Sequence, residues 1–321
     1  MSALERAGWD VRALDVHPPA PWASGQQEYI RADVREGDAV RRALRGCDVL
    51  VDNAALVPVS RVSYSEFRSV NVDGCRVALE AARAEGTYVV HVSSSSIYGV
   101  PEQLPVTEET PLRPFEPYGR SKAEAELLVA RERERGLPIA SLRSRALVGR
   151  GRLGLFEVVF RRIRDGRRVP LFGRGDITIQ MCDAEDFCAS ALAAIERRAE
   201  GDYNIGSAIY GTVREDLEEL IRHAGTSARL QPVPVRAIRA VLQSLRLIRR
   251  SPLTRWHWVA SSTDYYADLS RAEDELGWRP LRSNAEALAN AYDIWLEAPS
   301  TRGESAHTRP LEGALARLLR G

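Results

Sequence analysis

Val89-Val90-His91-Val92 reads as a buried strand that breaks at once into Ser93-Ser94-Ser95-Ser96-Ile97-Tyr98-Gly99, and this junction constrains the fold more than any other stretch. A helix follows. Pro117 suits a first-turn position, and residues 123–134 are rich in Ala, Leu, Glu and Arg with no breaker before Gly136. A strand-like run comes next at 139–148. Strand and helix in this alternation point to an α/β fold, in which a hydroxyl cluster at a strand's carboxyl end stands where open sheets place their chemistry. Taken alone, the cluster also reads as a serine-rich turn.

The helix carries the second signal. The chain has one lysine against 44 arginines, and that lysine is Lys122 in Tyr118-Gly119-Arg120-Ser121-Lys122. A position that keeps a compact ammonium while every other cation is a planar guanidinium is one where the two are not interchangeable. Tyr118 and Lys122 lie one turn apart on one helix face, where the cation favours the phenolate and lowers a phenol pKa from its usual value of about 10. By itself the spacing also fits an ordinary amphipathic face.

With both pieces in place, the chain resembles the extended short-chain dehydrogenase/reductases, the NAD-dependent epimerase/dehydratase family. The likeness spans residues 2–297. It rests on Val11-Arg12-Ala13-Leu14-Asp15, Ala32-Asp33-Val34, Asp48-Val49-Leu50-Val51-Asp52-Asn53-Ala54-Ala55, Asn71-Val72-Asp73-Gly74, the serine cluster, the Tyr/Lys pair, Leu142-Arg143, Tyr203-Asn204-Ile205-Gly206 and Leu276-Gly277-Trp278-Arg279-Pro280. The resemblance implies a Rossmann-type doubly wound parallel sheet with a smaller C-terminal substrate domain. It implies Ser94 as the hydroxyl that binds the substrate oxygen, Tyr118 as general base or acid, and Lys122 on the nicotinamide ribose. It implies NAD as cofactor, with Asp15 on the adenosine ribose, where a carboxylate repels a 2′-phosphate and disfavours NADP. Asp33 and Val34 match the adenine-contacting pair, and Asn53, Ala54 and Ala55 the small-residue turn beside the cofactor. Asn71 matches an Asn on the nicotinamide side and reads equally as a helix cap. A homodimer is implied by resemblance only.

The largest departure is at the beginning. The family's first strand and Gly-x-x-Gly-x-x-Gly turn precede a helix whose tail looks like Leu4-Glu5-Arg6-Ala7-Gly8, and Met1 stands inside that helix. That strand belongs at the sheet's centre, between those of residues 11–15 and 49–52, so without it two rows of backbone groups lack partners. The expectation is a natural start roughly twenty residues upstream, enough for a strand, a turn and a helix start. The alternative is a non-catalytic member that binds or regulates. Gly149-Arg150-Gly151-Arg152-Leu153-Gly154 imitates a dinucleotide loop but lacks the acidic residue in a βαβ context that the motif requires.

The expected organisation is a cofactor domain over 1–149, a mainly substrate-binding part over 150–297 with segments returning to the sheet, and a linker with a short amphipathic helix over 298–321. Helices are expected at 183–197, 212–223 and 284–297. A formal net charge of +1 argues against a nucleic-acid binder. The four cysteines show neither zinc spacing nor a disulfide framework, so no metal is expected. No signal peptide and no apolar run of spanning length is visible, which makes a cytoplasmic location the default.

The resemblance implies an NAD-dependent oxidoreductase or epimerase acting on a small-molecule secondary alcohol, with a nucleotide sugar kept as one candidate. Family members that act on nucleotide sugars carry Arg-Asp-Phe where this chain has Ile179-Gln180-Met181, and an alkyl side chain cannot neutralise a pyrophosphate. Family dehydratases place Asp-Glu after the catalytic hydroxyl, where Ser95 and Ser96 stand, which disfavours dehydration. Ile238, Val241, Leu242, Leu245 and Ile248 recur at helical spacing among Arg236, Arg239, Arg246, Arg249 and Arg250. Such a helix packs on the substrate domain or lies on a membrane surface; packing is the favoured reading, and lipid-alcohol oxidation of the 3β-hydroxysteroid-dehydrogenase kind is the alternative. Trp256, His257 and Trp258 read as core aromatics and His91 as a satisfied strand residue.

Overall fold

The computed structural model describes residues 2–19, 28–57, 62–151, 153, 156–234, 259 and 262–297. Helix α1 (Ser2–Arg6) leads to strands β1 (Arg12–Asp15) and β2 (Glu28–Arg31). Then follow α2 (Gly37–Leu44), β3 (Val49–Asp52), α3 (Tyr64–Arg68), a π-helical turn (Ser69–Gly74) and α4 (Cys75–Glu85). The centre of the molecule is β4 (Tyr88–Val92), a 3₁₀ turn (Ser95–Ile97), α5 (Pro117–Glu134) and β5 (Ile139–Ser144). The later elements are β6 (Ala146–Val148), α6 (Phe156–Arg164), β7 (Arg168–Phe172), β8 (Met181–Asp183), α7 (Ala184–Arg197), β9 (Gly201–Ile205), α8 (Val213–Ala224), β10 (Arg229–Val233), α9 (Ser270–Leu276) and α10 (Asn284–Glu297).

Strands β3, β4, β5 and β9 form a parallel sheet in that order. Both faces of β4 are covered, which explains why Tyr88–Val92 is apolar in succession rather than in alternation. One face sends Val89 and Ile139 against Leu79 and Ala82 of α4 and Ala125 and Val129 of α5. The other sends Val90, Ala140 and Leu142 against Phe187, Ala191 and Ile195 of α7 and Leu276 of α9. A separate apolar cluster gathers Phe160 and Ile163 of α6, Val169 and Leu171 of β7, Leu217 and Leu220 of α8 and Leu288 and Tyr292 of α10, beside the parallel pair β7–β10.

The doubly wound α/β architecture is as the sequence indicates, and so are the helix starts. Asp183 caps α7 by accepting from the N–H groups of Glu185 and Asp186, and Thr212 and Glu215 form a reciprocal capping box at α8. The run 139–148 is two strands rather than one: β5 stays in the central sheet, while β6 leaves it to pair with β8. Gly149 ends β6 where a Cβ would lie 2.6 Å from the Cβ of Ala184, so this turn packs on the start of α7. The basic amphipathic segment lies at 236–250, outside the described residues, as do Trp256, His257, Trp258 and the C-terminal stretch 298–321.

Strand β1 pairs only with β2, and β3 only with β4, among the described residues. The other edge of each therefore has no strand partner there. Besides its pairing with β2, β1 is tied to α2 by a side chain. Arg12 donates through Nη1 to the carbonyls of Ala43 (2.7 Å) and Arg45 (3.1 Å) at the end of α2, and through Nε to Glu28 (2.6 Å).

Beneath α5 the sheet is polar. Glu126 takes hydrogen bonds from Ser141 (2.8 Å) and from Nε and Nη2 of Arg143 (3.0 Å each), and Arg143 Nη2 also reaches Asp202 (2.6 Å). Burial pushes the Glu126 carboxyl up, but the charge and hydrogen bonds of Arg143 outweigh it and hold the group down at about 2. Because the folded value lies below that of the unfolded chain, near 4.3, the stabilisation is present at neutral pH. It is lost as pH falls from about 4.3 towards about 2. We predict that Arg143→Ala, which strands a buried carboxylate, destabilises the fold by about 3–5 kcal/mol, read as a lower urea midpoint at pH 7, and that this loss shrinks in acid.

Candidate active site

Helix α5 starts at Pro117, whose missing N–H costs nothing at a first-turn position. Its first turn is pressed onto the serine turn. A Cβ on Gly119 would lie 2.6 Å from the carbonyl oxygen of Ser96, so only glycine lets helix and turn meet this closely. Ser94, 8% exposed, caps the 3₁₀ turn, and its Oγ accepts from the Ser96 N–H (3.2 Å). Its own O–H remains to be donated. Tyr118 is half-buried and packs edge-on against Phe67, with ring centroids 5.9 Å apart.

Lys122 is buried at 3% exposure. Its Nζ donates to the carbonyl of Val92 (2.8 Å) and lies 3.3 Å from Nε2 of His91. The chain's one ammonium is thus anchored at the end of β4, two residues before Ser94. The serine turn and the Tyr/Lys helix, separate in sequence, are brought together here.

Asn71 is not a helix cap. It sits inside the π-helical turn, a distortion common at functional sites, and its amide is a three-way brace. Nδ2 donates to Leu56 O (3.1 Å) and Ser121 Oγ (3.0 Å), while Oδ1 accepts from Leu56 N (2.7 Å). Ser121 in turn donates to Tyr118 O (2.7 Å). Asn71 therefore locks the loop after β3 to α5. That loop begins with Asn53, Ala54 and Ala55, of which the first two are exposed.

The remaining candidates stand apart from the Tyr/Lys pair, at the carboxyl ends of β1 and β2. Asp15 is exposed, and its Oδ1 accepts from His17 N (2.9 Å). Asp33 receives Arg35 through its backbone N–H (2.9 Å), Nε (2.8 Å) and Nη2 (2.6 Å); these bonds hold its carboxyl below the usual range. Arg35 Nη1 also donates to Ser69 (2.9 Å), tying this side to the π turn. Val34 fills the space left by Gly74, where a Cβ would fall 2.5 Å from Cγ1.

A cleft of about 390 Å³ lies beside α3 and the π-helical turn, lined by Arg35, Leu56, Ser65, Glu66, Ser69 and Val70. Asp33-Val34 and Asn53-Ala54-Ala55 each adjoin a lining residue, and the exposed Asp15 carboxylate stands at the end of β1. Asp15 offers an exposed carboxylate, Asn53 and Ala54 are exposed small residues, and Lys122 is a buried ammonium; these are the groups among the candidates whose chemistry suits a dinucleotide.

The sequence model of the NAD dependent epimerase/dehydratase family matches residues 1–206. This chain belongs to that family. Its cofactor is NAD, and the family's members are NAD-dependent epimerases and dehydratases. "Uncharacterized protein y4nG" of Sinorhizobium fredii (strain NBRC 101917 / NGR234) is 33% identical over 98% of this chain and 81% of that protein. The "dTDP-glucose 4,6-dehydratase" of Streptomyces niveus is 27% identical over 91% of this chain and 90% of its own length. The UDP-glucuronic acid 4-epimerase from Bacillus cereus, solved in complex with NAD, shares the fold with a TM-score of 0.75 at 21% identity, covering 93% of this chain and 94% of that one.

Sequence reasoning missed Asp52, Cys75 and Glu126. Asp52 faces His91 across β3 and β4, with Oδ2 to Nδ1 at 2.7 Å; Cys75 Sγ lies 3.9 Å from the same nitrogen. The signal available was an aspartate and a histidine interrupting apolar strands, but their pairing depends on a strand register that no local pattern displays. All four cysteines are free.

Gly119 supplies the test of the helix-to-turn contact. Gly119→Ala should force α5 off the Ser96 carbonyl, lowering stability by about 1–3 kcal/mol and turnover by at least tenfold. A thermal melt unchanged within 1 °C would show that the contact yields freely.

Proposed function

We propose that this protein oxidises a secondary alcohol by removing the hydroxyl proton with Tyr118, while Ser94 orients the oxygen and Lys122 sustains the phenolate. The observation that carries the reading is the placement of Lys122: a single buried ammonium, one helical turn from Tyr118 and anchored two residues ahead of Ser94. NAD, when bound, supplies the hydride acceptor. The Ser94 hydroxyl, having accepted one backbone N–H, donates to the substrate oxygen. Lys122 uses two of its three donors on Val92 and His91, leaving one for the ribose hydroxyls of the cofactor.

The product ketone decides the net reaction. Its release makes the protein a dehydrogenase. If it is kept, turned and reduced on the opposite face, the outcome is epimerisation. Ser95 and Ser96, in place of an acidic pair after Ser94, offer no carboxyl to protonate a leaving hydroxide, so dehydration is not part of the proposal.

For the substrate, two of the three relatives named above act by name on dTDP-glucose and UDP-glucuronic acid, which supports a nucleotide sugar. One observation favours a second reading, an alcohol without a pyrophosphate, such as a lipid alcohol. Gln180, where sugar-nucleotide members of the family carry the middle residue of Arg-Asp-Phe, is spent as a brace between Ser207 O (2.8 Å) and Ala267 N (2.9 Å). Its neighbour Ile179 brings no cation.

Tyr118→Phe keeps the ring and removes the acid-base group. Its turnover with dTDP- and UDP-sugars or with sterol-type alcohols, followed by NADH fluorescence and product chromatography, should fall by about 10²–10⁴-fold. A loss smaller than tenfold would refute the catalytic role. Net NADH marks a dehydrogenase, and interconversion without it an epimerase.

A further inference from the structure

We propose that Asp52 and His91 are positioning residues for Lys122: the Asp52 carboxylate holds the His91 ring as the tautomer protonated on Nδ1, and the lone pair left on Nε2 fixes the ammonium at the end of β4. The inference deepens the role given to Lys122 above and rests on that reading.

Three buried groups stand in line. Asp52 Oδ2 is 2.7 Å from His91 Nδ1, and His91 Nε2 is 3.3 Å from Lys122 Nζ; the residues are 5%, 1% and 3% exposed. An ammonium has donors only, so the nitrogen facing it must be the acceptor, and a neutral imidazole then carries its proton on the other nitrogen. That nitrogen faces a carboxylate. The two ends of the line are opposite charges bridged by a neutral ring, so neither is buried without compensation. The register supplies the geometry, since Asp52 is the cross-strand neighbour of His91 and the two side chains leave the sheet on the same face.

The other groups around the ring agree with this assignment. Cys75 of α4 approaches Nδ1 at 3.9 Å, its thiol kept protonated by burial and by the Asp52 charge. Ser141 of β5 is the next cross-strand neighbour and donates to Glu126 of α5. Asp52, Cys75 and His91 lie close enough to hold a metal ion, but 2.7 Å is a hydrogen-bond distance, shorter than the roughly 3.3 Å between two ligands of a tetrahedral zinc. A cation there would also face the Lys122 ammonium across one ring.

Asp52→Asn separates positioning from bulk. Its carboxamide can donate to Nδ1, which drives the ring proton onto Nε2 and points it at the ammonium. Because Lys122 is the only lysine, the full chain labelled with ¹⁵N-lysine yields one side-chain amine resonance. In the wild type that resonance should be protected from solvent exchange. In Asp52→Asn it should shift or broaden, and turnover should fall at least tenfold. A tautomer measurement on ¹⁵N-histidine wild-type protein, with His91 assigned by its loss in His91→Gln, needs no stable Asp52 variant and should show the proton on Nδ1.

A proton on Nε2, an unmoved lysine resonance in folded Asp52→Asn, or zinc bound one for one in the purified protein would each overturn the proposal. The resonances do not depend on turnover. A normal rate in Tyr118→Phe would therefore sink the catalytic reading while leaving the positioning of Lys122 to be decided by the spectra.

Discussion

The structure depends on a polar row that crosses the parallel sheet beneath α5. Asp52, His91, Ser141 and Asp202 are successive cross-strand neighbours on β3, β4, β5 and β9, and the helix above them contributes Lys122 and Glu126. An apolar row would have been simpler to bury. These charges are tolerable because each meets a partner of opposite sign or a hydrogen-bonding bridge: Arg143 to Glu126 and Asp202, and Asp52 to Lys122 through His91. Burial pushes the Asp52 carboxyl up, and the hydrogen bond from His91, with the charge of Lys122, brings it below the usual range. The consequence is directional: a charged row admits one register of α5 over the sheet, whereas interchangeable apolar contacts would admit several.

That fixed register delivers the site. Once Lys122 and Glu126 are seated, Tyr118 must emerge one turn earlier, and Gly119 between them lets the helix reach the Ser96 carbonyl. The π-helical turn completes the arrangement from the other side, since Asn71 projects between the loop after β3 and Ser121 instead of continuing a regular helical face. Four chain segments thus converge through a few short contacts. Most involve backbone atoms at one end, which positions the site more rigidly than pairs of mobile side chains.

The elements that a local pattern can specify were legible in advance. The buried strand at 89–92, the helix behind Pro117, the capped starts of α7 and α8, and the bounds of α10 follow from run length, breakers and caps, all of which act within a few residues. The split of 139–148 into β5 and β6 was not legible, because both halves are strand-like and what separates them is the choice of partner, β4 and β9 for one and β8 for the other. The same limit hid the site's supports. His91 was readable as a satisfied strand residue, but its partners come from a neighbouring strand 39 residues earlier and from a helix 31 residues later. Asn71 was legible as a polar residue near a helix start, yet its role follows from the π turn, which no propensity encodes.

The cofactor side is built on a different principle. Strand β1 carries Asp15 without being hydrogen-bonded to the four-stranded sheet, so that residue's position relative to Lys122 is set by side chains and helix packing. Arg12 fastens β1 to the end of α2; Val40 and Leu44 of α2 pack in one cluster with Cys75 and Leu79 of α4; and Arg35 links Asp33 to Ser69 at the π turn. Each link is short, but in series they are softer than a ladder of strand hydrogen bonds, which would restrain every residue of β1 at once. Lys122, by contrast, bonds directly to β4 of the four-stranded sheet.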